Sequence, residues 1–384
     1  MSEWKEYKLS DLMEIKYGKD HKHLADGSYP LFGSGGIMRY VEKSIYEEES
    51  ILIPRKGTLS NLFYVNEPFW SVDTMFWSKI NKKKVLPKYL YYTLKTYNLA
   101  ELNVGSAVPS LTTEVLNKVL VSIPNLDIQV AIAEILSSLD DKIELNNKIN
   151  QELETLAQTL FKQWFIDFEF PNENGEPYKS SGGEMVDSEL GEIPKGWEVG
   201  SIYDISSVIY GAPFKSSLFN QERKGYPLIR IRDLKTFKPQ NWTEEVLSKG
   251  TKIQPGDLVV GMDAEFRPHF WLGEEGWLNQ RVCLFKPKSE FSRLFVREII
   301  RPLLAFYENS SVGTTVIHLG KGDIDTFKSI IPSNHLSKLF TELSEPLINK
   351  IIENSRENES LTNLRDTLLP KLISGELEIK EINN

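Results

Sequence analysis

The sequence predicts an α+β protein with an internal pseudo-two-fold repeat, in which two similar globular domains with mixed or antiparallel sheets are separated by a pair of long antiparallel coiled-coil helices. Three observations predict this class. The chain repeats itself at a spacing of about 200 residues, it contains many short runs of β-branched and aromatic residues, and it carries two long segments with a heptad pattern. Its 384 residues suffice for two ordinary hydrophobic cores.

The repeat consists of three blocks of matching residues in the same order along the chain. The first block recurs 193 residues later and comprises Trp4, Asp11, Tyr17 and Gly18, matched by Trp197, Asp204, Tyr210 and Gly211. The second recurs 207 residues later and comprises Ile51, Leu52, Ile53 and Trp70, matched by Leu258, Val259, Val260 and Trp277. The third recurs 208 residues later and comprises Gly105, Val108, Leu111 and Pro124, matched by Gly313, Val316, Leu319 and Pro332. Because the spacing grows only between blocks, the pattern indicates a duplication with loops of different length.

The repeat divides the chain into five segments. In each copy, runs such as SILIPRKG and GDLVVGM, bounded by turn residues, are typical of strands, and a helical segment follows them. The predicted segments are a first globular domain at 1–125, a central helix at 126–168, a linker at 169–196, a second globular domain at 197–333 and a distal helix at 334–378.

The two helical segments share a heptad pattern. Residues 127–168 contain neither glycine nor proline, and their pattern recurs 208 residues later. In the first segment, the positions predicted to face a partner helix are Leu139, Ile143, Asn146, Asn150, Leu153 and Leu160. In the second segment they are Leu347, Ile351, Asn354, Asn358, Leu361 and Leu368.

Each helix therefore carries two asparagines at positions predicted to face its partner. A buried asparagine costs stability but fixes register and orientation, which favours pairing of the two helices in one alignment. A solvated polar turn in each helix is the alternative. Pro346 has no counterpart in the first copy, where Ser138 stands, so we expect a kink or a helix restart there.

Charge is distributed unevenly along the chain. The net charge of −9 argues, at first sight, against a surface that binds nucleic acid. Residues 126–168 and 169–196 each carry a net charge of −5, whereas residues 1–125 and 197–333 each carry +2. The acidic residues are concentrated in a helix and the linker, so a phosphate-facing surface on either globular domain is allowed.

The composition excludes several classes of protein. The segment MSEWKEYKLSDL lacks a basic region followed by an apolar run, and no stretch reaches the roughly 20 apolar residues of a membrane span, so we expect a cytoplasmic protein. A single cysteine, Cys283, excludes an internal disulfide framework and a cysteine-rich zinc site. For His21 and His23, a polar loop is favoured over a metal site.

The helical sequence LDDKIELNNKINQELETLAQTLFKQWFIDFEFP resembles the central region of the DNA specificity subunits of type I restriction-modification systems. Segments of both globular domains resemble the target-recognition domains of that family. They are YPLFGSGGIMRY, ILIPRKGTLSNLFYV and FWSVDTMFW in the first domain, and YPLIRIRDL, GDLVVGMDAEF and LNQRVCLFKP in the second. The segment LTNLRDTLLPKLISGEL resembles the distal helix of the family, so the resemblance covers almost the whole chain.

The resemblance implies a sequence-specific DNA-binding subunit without a catalytic centre. In the family, each target-recognition domain reads one half of a bipartite, asymmetric site in double-stranded DNA, and the helices set the gap between the halves. Two modification (methyltransferase) subunits dock on the helices and methylate adenine, and restriction subunits with nuclease and translocase activity join them. No cofactor is expected in this chain, because S-adenosylmethionine is expected in the methyltransferase subunit.

The residues themselves agree with that implication in two ways. A helix of about 40 residues is roughly 60 Å long, so an antiparallel pair would carry two modules to separate half-sites of a duplex. The chain contains no Asn-Pro-Pro-Tyr or Asp-Pro-Pro-Tyr run of an amino-methyltransferase, no phosphate-binding Gly-Lys-Ser/Thr loop and no clear nuclease carboxylate cluster. The alternatives are a self-contained enzyme with an unrecognised site and a coiled-coil scaffold whose globular ends bind proteins.

Candidate DNA contacts in the first domain lie in turn-like segments. The loop around Ser34 and Gly35, together with Arg39, offers backbone amides and a cation to a phosphate, although an ordinary tight turn explains the loop equally well. The candidates Arg55, Lys56 and Thr58 directly follow an apolar strand. Arg55 and Lys56 are the stronger ones, because DNA contact is favoured there over a solvated hairpin end.

Candidate contacts in the second domain include two arginines and a polar triplet. Arg230 and Arg232 alternate with Ile229 and Ile231, so we expect both arginines on one face of a strand, turned either to DNA or to Asp233. The triplet precedes the strand VCLF, offers amide and guanidinium groups that pair with adenine and guanine edges, and comprises Asn279, Gln280 and Arg281.

Polar residues also precede each long helix, and here helix capping and phosphate contact both remain open. They are Ser106, Ser110 and Thr112 in the first copy and Thr314, Thr315 and His318 in the second. Several aromatic residues resemble base-stacking platforms, but we expect most of them to lie in the core. They are Trp70, Phe76, Trp77, Phe270, Trp271 and Trp277.

Overall fold

The computed structural model describes residues 4–105, 109–263, 265–309 and 318–379. The described α-helices are α1 (Leu9–Leu12), α2 (Pro87–Lys95), α3 (Thr113–Asn117), α4 (Leu126–Phe165), α5 (Ile202–Ile205), α6 (Arg293–Asn309), α7 (Lys321–Ile324) and α8 (Asn334–Ser374). Short 3-10 helices lie at Leu99–Leu102, Ser216–Leu218 and Ile231–Asp233. The chain divides into two compact units, unit 1 (Met1–Ile143 with Ser360–Asn384) and unit 2 (Glu144–Glu359), so each unit takes in part of both long helices.

The described residues of unit 1 form three small sheets. Its strands are β1 (Lys5–Lys8), β2 (Met13–Tyr17), β3 (Asp26–Gly33), β4 (Gly36–Val41), β5 (Ser50–Pro54), β6 (Phe63–Val65), β7 (Trp70–Ser71), β8 (Met75–Ile80) and β9 (Leu120–Ile123). Four strands form an antiparallel sheet in the order β2-β8-β5-β6. A second sheet has the order β4-β3-β7, in which β3 and β7 run parallel, and β1 pairs with β9.

Unit 2 repeats this arrangement with longer connections. Its strands are β10 (Met185–Ser188), β11 (Gly191–Pro194), β12 (Glu198–Ser201), β13 (Ser206–Tyr210), β14 (Phe219–Asn220), β15 (Tyr226–Ile229), β16 (Trp242–Thr243), β17 (Lys252–Ile253), β18 (Leu258–Gly261), β19 (Pro268–Phe270), β20 (Gly276–Leu278), β21 (Val282–Pro287) and β22 (Lys328–Ile331). The order β13-β21-β18-β19 matches β2-β8-β5-β6, and the parallel pair β15/β20 matches β3/β7. The predicted internal repeat and the mixed or antiparallel sheets are therefore confirmed.

One of the two inner strands of each four-stranded sheet, β5 in unit 1 and β18 in unit 2, is buried on both faces. In β5, Ile51 and Ile53 belong to one hydrophobic cluster and Leu52 belongs to another. In β18, Leu258 and Val259 likewise point into different clusters. Because successive side chains of a strand point to opposite faces, burial of both faces requires the continuous apolar runs seen in the sequence.

The repeated glycines and aspartates have local structural explanations. A Cβ atom on Gly18 would lie 1.9 Å from the Val72 carbonyl oxygen, and one on Gly211 would lie 2.0 Å from the Asn279 carbonyl oxygen. Only glycine permits this approach of two backbone segments. Asp11 and Asp204 lie in α1 and α5, where each carboxylate accepts a hydrogen bond from the backbone amide at the start of its helix.

The long helices pair in antiparallel orientation inside unit 2. Asn146 of α4 donates to Asn358 Oδ1 of α8 at 2.9 Å, and Asn354 donates to Asn150 Oδ1 at 2.8 Å. From Asn146 to Asn150 the position in α4 rises by four residues, while the paired position in α8 falls by four, so the helices are antiparallel. Asn146 and Asn354 are 0% and 2% exposed and Asn150 and Asn358 are half-buried, so the asparagines face the partner helix and not solvent. Their role in fixing the register stays a prediction.

The other predicted pairing positions are buried or half-buried, in agreement with the heptad pattern. Within unit 1, Leu136 of α4 and Leu372 of α8 share one hydrophobic cluster, and Arg365 of α8 donates to Asp140 of α4 at 2.6 Å. Of the two outcomes expected at Pro346, the helix restart is wrong, because α8 is one helix from Asn334 to Ser374, and the kink stays a prediction. A proline removes only one backbone donor, and the surrounding packing retains the helix.

The segment predicted as a linker is folded. It contains the hairpin β10/β11, and Phe170 stacks on both Tyr178 and Trp197 at ring-centroid distances of 4.6 and 5.2 Å. Among the helices of the described residues, none is long and apolar enough to cross a membrane.

Candidate nucleic-acid interface

In unit 1, several of the predicted contact residues converge at the end of β5. The Leu111 amide donates to the Arg55 carbonyl at 2.9 Å, and Lys56 pairs with Ser110 in an isolated antiparallel bridge. Asn61 Nδ2 donates to the Ser34 carbonyl at 3.0 Å, which ties the β3–β4 hairpin tip to the segment that follows β5. Folding therefore brings a hairpin tip, a strand end and the segment before α3 into one polar surface.

The hairpin tip borders an open cavity of about 380 Å³. Its lining includes Ser34 and Gly35 from the tip and Asp73 and Thr74 from the turn between β7 and β8. Thr58 is exposed and lies beside this surface, where its carbonyl accepts from the Asn61 amide at 3.3 Å. The predicted residues of this loop are available to a ligand, and their contact with DNA stays a prediction.

Arg55 is held over an exposed aromatic ring. Its guanidinium carbon lies 5.2 Å from the centroid of the Tyr17 ring, and its Nη1 donates to the Asp73 carbonyl at 3.4 Å. Tyr17 is 51% exposed although it lies at the end of β2. In the sequence, Tyr17 was recognised only as one of the residues shared by the two copies of the repeat. Its position beside Gly18, where two backbone segments meet, is the sequence feature that places it on this surface.

Arg39 forms hydrogen bonds within unit 1. Its guanidinium donates to Asp26 Oδ1 at 2.8 Å and to the carbonyls of His21 and Leu24 at 2.9 and 3.0 Å. These bonds hold the chain between β2 and β3 against β4. Arg39 is therefore the weakest of the predicted DNA contacts in this unit, because a phosphate would have to compete with three internal acceptors.

The expectation that Arg230 and Arg232 share one face of a strand is wrong. Strand β15 ends at Ile229, and a 3-10 turn over Ile231–Asp233 follows. Arg230 is mostly buried with its Nε 3.8 Å from Asp233 Oδ2, while Arg232 is exposed. Burial lowers the pKa of the Arg230 guanidinium and raises the pKa of the Asp233 carboxyl. The Asp233 carboxylate, which accepts the Arg230 amide at 3.0 Å, stabilises this turn instead of a longer strand.

The polar triplet before β21 is divided by burial. Asn279 is buried, its amide donates to the Ile229 carbonyl at 3.2 Å, and it forms a parallel bridge with Ala212. Gln280 and Arg281 are exposed. Of the three residues, the last two are accessible to DNA, and base contact by either of them stays a prediction.

Arg281 belongs to a polar cluster that the sequence alone did not reveal. Its Nη1 lies 3.1 Å from His318 Nδ1, its Nε lies 3.5 Å from Asp263 Oδ2, and His318 Nδ1 lies 2.7 Å from Asp263 Oδ1. Asp263 was not a sequence candidate. Its one sequence signal was its position directly after the strand GDLVVGM, which matches the position of Lys56 in the first copy.

The remaining predicted residues separate into three groups. Ser106, Thr314 and Thr315 lie outside the described residues. Thr112 caps the short helix α3, since its Oγ1 accepts from the Val115 amide at 3.3 Å, whereas Asn125 caps the long helix α4. The aromatic residues expected in the core are all buried and are Trp70, Phe76, Trp77, Phe270, Trp271 and Trp277.

The described residues contain no group of three or more His, Cys, Asp or Glu side chains placed to hold a metal ion. Cys283 lies in β21 and is fully buried, and burial raises the pKa of its thiol to about 12. A thiol with so high a pKa is protonated near neutral pH and is a poor nucleophile.

The comparison with protein families matches both copies of the repeat. The model of the type I restriction modification DNA specificity domain matches residues 1–155 and again residues 194–362. The chain belongs to this family. It is the DNA specificity subunit of a type I restriction-modification system, and the predicted resemblance is confirmed. Specificity subunits carry no catalytic activity of their own, so the prediction of a non-catalytic subunit is also confirmed by this membership.

Named relatives support the assignment over nearly the whole specificity subunit. The type I restriction enzyme MjaIX specificity subunit of Methanocaldococcus jannaschii is 30% identical over 94% of this chain and 86% of its own length. The type I restriction enzyme HindI specificity subunit of Haemophilus influenzae is 25% identical over 98% of this chain and 100% of its own length. The crystal structure of the S subunit of a type I restriction-modification system from M. genitalium has the same fold, with a TM-score of 0.62 and 16% identity over 97% of this chain and 96% of that one.

Proposed function

We propose that each unit of this specificity subunit reads one half of a bipartite, asymmetric sequence in double-stranded DNA. The observation that carries the proposal is the duplicated sheet, β2-β8-β5-β6 in one unit and β13-β21-β18-β19 in the other. Each copy presents a polar residue after one of its inner strands, Lys56 after β5 and Asp263 after β18. Two copies of one scaffold with different polar residues suit the reading of two different half-sequences.

We further propose that the paired helices set the number of unread base pairs between the half-sites. The paired asparagines support this proposal, because Asn146 bonds to Asn358 and Asn150 bonds to Asn354 in one register only. A slip of either helix would leave buried amide groups without partners, at a cost of roughly 1–3 kcal/mol for each group. A spacer must hold its length, and buried polar pairs of this kind resist slippage.

The partners that we propose are two methyltransferase subunits, which dock on the helices, and restriction subunits that join them. Because the family is the specificity subunit of a larger enzyme, the chemistry belongs to other chains. S-adenosylmethionine would be bound by the methyltransferase subunits. This chain would supply DNA recognition and the docking surface.

Mapping of methylated adenines by single-molecule sequencing tests the proposal. The cells carry the methyltransferase gene with or without the gene for this chain. We expect one split, asymmetric methylated motif that disappears when this chain is absent. Methylation that does not depend on the chain, or a purified chain that methylates or cleaves DNA alone, would contradict the proposed role.

Exchange of one domain tests the assignment of half-sites. Residues 197–333 are replaced by the equivalent segment of a relative that recognises a different motif, and the motif is mapped again. We expect one half-sequence to change and the other half and the gap to stay the same. A change in both halves would show that the two domains do not read DNA independently.

A further inference from the structure

The polar positions at the ends of β5 and β18 have the same backbone hydrogen-bond pattern in the two units. In unit 1 the Arg55 amide donates to the Thr74 carbonyl at 2.8 Å, and in unit 2 the Met262 amide donates to the Arg281 carbonyl at 2.9 Å. The isolated bridge of Lys56 with Ser110 recurs as the bridge of Asp263 with His318. We call Lys56, Thr74 and Ser110 in unit 1, and Asp263, Arg281 and His318 in unit 2, the matched corners.

The buried residue that follows each matched corner is the same in both units. Leu111 and Leu319 follow the two corners, and each is 1% exposed. Their amides make the same bond, Leu111 to the Arg55 carbonyl at 2.9 Å and Leu319 to the Met262 carbonyl at 2.8 Å. The backbone hydrogen-bond pattern is therefore the same in both units, and what differs is the set of partly or fully exposed side chains at the matched corners.

Those side chains differ in chemical type at every position. Unit 1 presents an ammonium group and two hydroxyl groups, and unit 2 presents a carboxylate, a guanidinium and an imidazole. If both corners contacted only phosphates, both would favour cations, hydroxyls and amides. The carboxylate of Asp263 offsets the positive charge of Arg281, so the corner of unit 2 attracts a phosphate less than a corner of cations and hydroxyls would.

The corner of unit 2 contacts the Arg281 guanidinium at Nε and at Nη1 and leaves Nη2 without a contact among the described residues. Asp263 lies 3.5 Å from Arg281 Nε, and His318 lies 3.1 Å from Arg281 Nη1. Within the described part of the chain, Arg281 Nη2 makes no hydrogen bond, and the side chain is 50% exposed. A fork held in place in this way loses less conformational entropy when it binds a ligand.

We propose that the corner formed by Asp263, Arg281 and His318 is a base-reading site of the second unit, and that it recognises a G·C pair in the major groove. This inference rests on the proposed function and adds the chemical identity of one base pair. An arginine fork matches the O6 and N7 acceptors of guanine, the commonest specific contact between a side chain and a base. A carboxylate beside the fork matches the amino group of the paired cytosine, which donates a hydrogen bond.

The test uses the complex of this chain with its methyltransferase subunits, and it compares the methylated motifs of wild type, Arg281→Ala and Arg281→Lys. We expect both variants to lose discrimination at one G·C pair of one half-site, by roughly 5- to 150-fold, while the other half-site is unchanged. Arg281→Lys keeps the charge and removes the fork. It therefore tests recognition even if Arg281→Ala folds poorly.

Thr74→Ala at the equivalent position of unit 1 is the matched control, and it must leave the half-site read by unit 2 unchanged. Three results would overturn the inference. The half-site assigned to residues 197–333 could contain no G·C pair, the variants could keep the full motif, or they could weaken methylation of every site equally, as loss of a phosphate contact would. Absence of any split motif in wild type would instead contradict the proposed function, so the two failures are distinguishable.

Discussion

At the scale of residues, a buried arginine links α6 to the long helix α4 within unit 2. In unit 2, Arg297 of α6 is 4% exposed, and its Nη2 lies 2.6 Å from Glu154 Oε1 of α4 and 2.8 Å from Glu298 Oε1. Its guanidinium also lies 4.5 Å from the centroid of the Phe270 ring. Removal of Glu154 would leave Glu298 as the remaining carboxylate partner of Arg297, so we expect a loss below the roughly 3–5 kcal/mol that a fully unpaired buried charge costs.

The first prediction concerns the pH dependence of this ion pair. Burial raises the pKa of the Glu154 carboxyl, but Arg297, Gln158 and Arg301 together outweigh burial, so the net pKa is lowered from 4.5. A carboxyl whose pKa is lowered by folding contributes to the free energy of unfolding at pH values above its unfolded-state pKa. This contribution is lost as the pH falls through the folded-state pKa. Glu154→Gln should lower the free energy of unfolding at pH 7, and its difference from wild type should shrink as the pH falls below about 4.5.

Urea unfolding at a series of pH values measures this difference. The matched control is Glu152→Gln, a change at an exposed position of the same helix. We expect the control to behave like wild type throughout. A Glu154→Gln variant as stable as wild type at pH 7 would mean that the ion pair contributes nothing net.

At the scale of elements, the helix pair depends on a few polar contacts in an apolar seam. Asn146 Nδ2 donates to Asn358 Oδ1 at 2.9 Å and to Glu357 Oε2 at 2.8 Å. Asn150 Oδ1 accepts from Asn354 Nδ2 at 2.8 Å. These bonds join residues more than 200 positions apart in sequence, so they contribute to pairing and not to the formation of either helix alone.

The second prediction concerns the register of the helix pair. Asn146→Ala leaves the Asn358 oxygen without its buried donor, so we expect a loss of roughly 1–3 kcal/mol in the free energy of unfolding. Chemical unfolding followed by circular dichroism measures it, with Lys148→Ala, an exposed position on the same helix, as control. Equal stability of the two variants would show that the buried amide contributes no net stability.

The third prediction concerns spacer length. Four residues of polar-apolar pattern are inserted after Gln151 in α4 and after Glu353 in α8, two exposed positions that flank the pair Asn150 and Asn354. Each insertion adds roughly 6 Å of helix. We expect the unread gap in the methylated motif to lengthen by about two base pairs while both half-sequences stay the same.

An insertion in α4 alone is the control for the spacer. It moves one helix out of register with the other, so we expect methylation to be lost instead of shifted to a longer gap. A double insertion that leaves the gap unchanged would show that the helices do not set it.

At the scale of the whole molecule, the charge of the chain limits its own affinity for DNA. The net charge is −9, yet residues 1–125 and 197–333 each carry a small positive excess. Most of the affinity of proteins for DNA comes from neutralised phosphates and therefore depends on positive charge. A small positive excess on each recognition domain supplies little of it.

The fourth prediction follows from the small positive charge of the two recognition domains and the negative net charge of the chain. The chain alone should bind a duplex with the methylated motif no more tightly than about micromolar at physiological salt, and addition of the methyltransferase subunits should tighten binding and steepen its salt dependence. Fluorescence anisotropy at several salt concentrations measures both effects, with a scrambled duplex as control. Nanomolar, motif-specific binding by the chain alone would contradict the prediction.

The sequence by itself determined the repeat, the strand content and the seam of the helix pair. These features can be recognised from local periodicity and from residues shared by the two copies, such as Gly18 and Gly211 or Asn146 and Asn354. Periodicity fixes which side chains share a face, and duplication reveals which positions the scaffold requires. The same signals placed Arg55 and Lys56 correctly at a strand end.

Only the tertiary structure decided which polar residues meet. His318 lies 37 positions from Arg281 and 55 from Asp263 in sequence, and no local pattern predicts that the three converge. Sequence reasoning also placed Arg230 on a strand, whereas contact with Asp233 turns the chain there, and it left the partners of Arg39 unknown. Local pattern determines the elements, but a contact between distant residues depends on how those elements pack, and packing is decided by the whole fold.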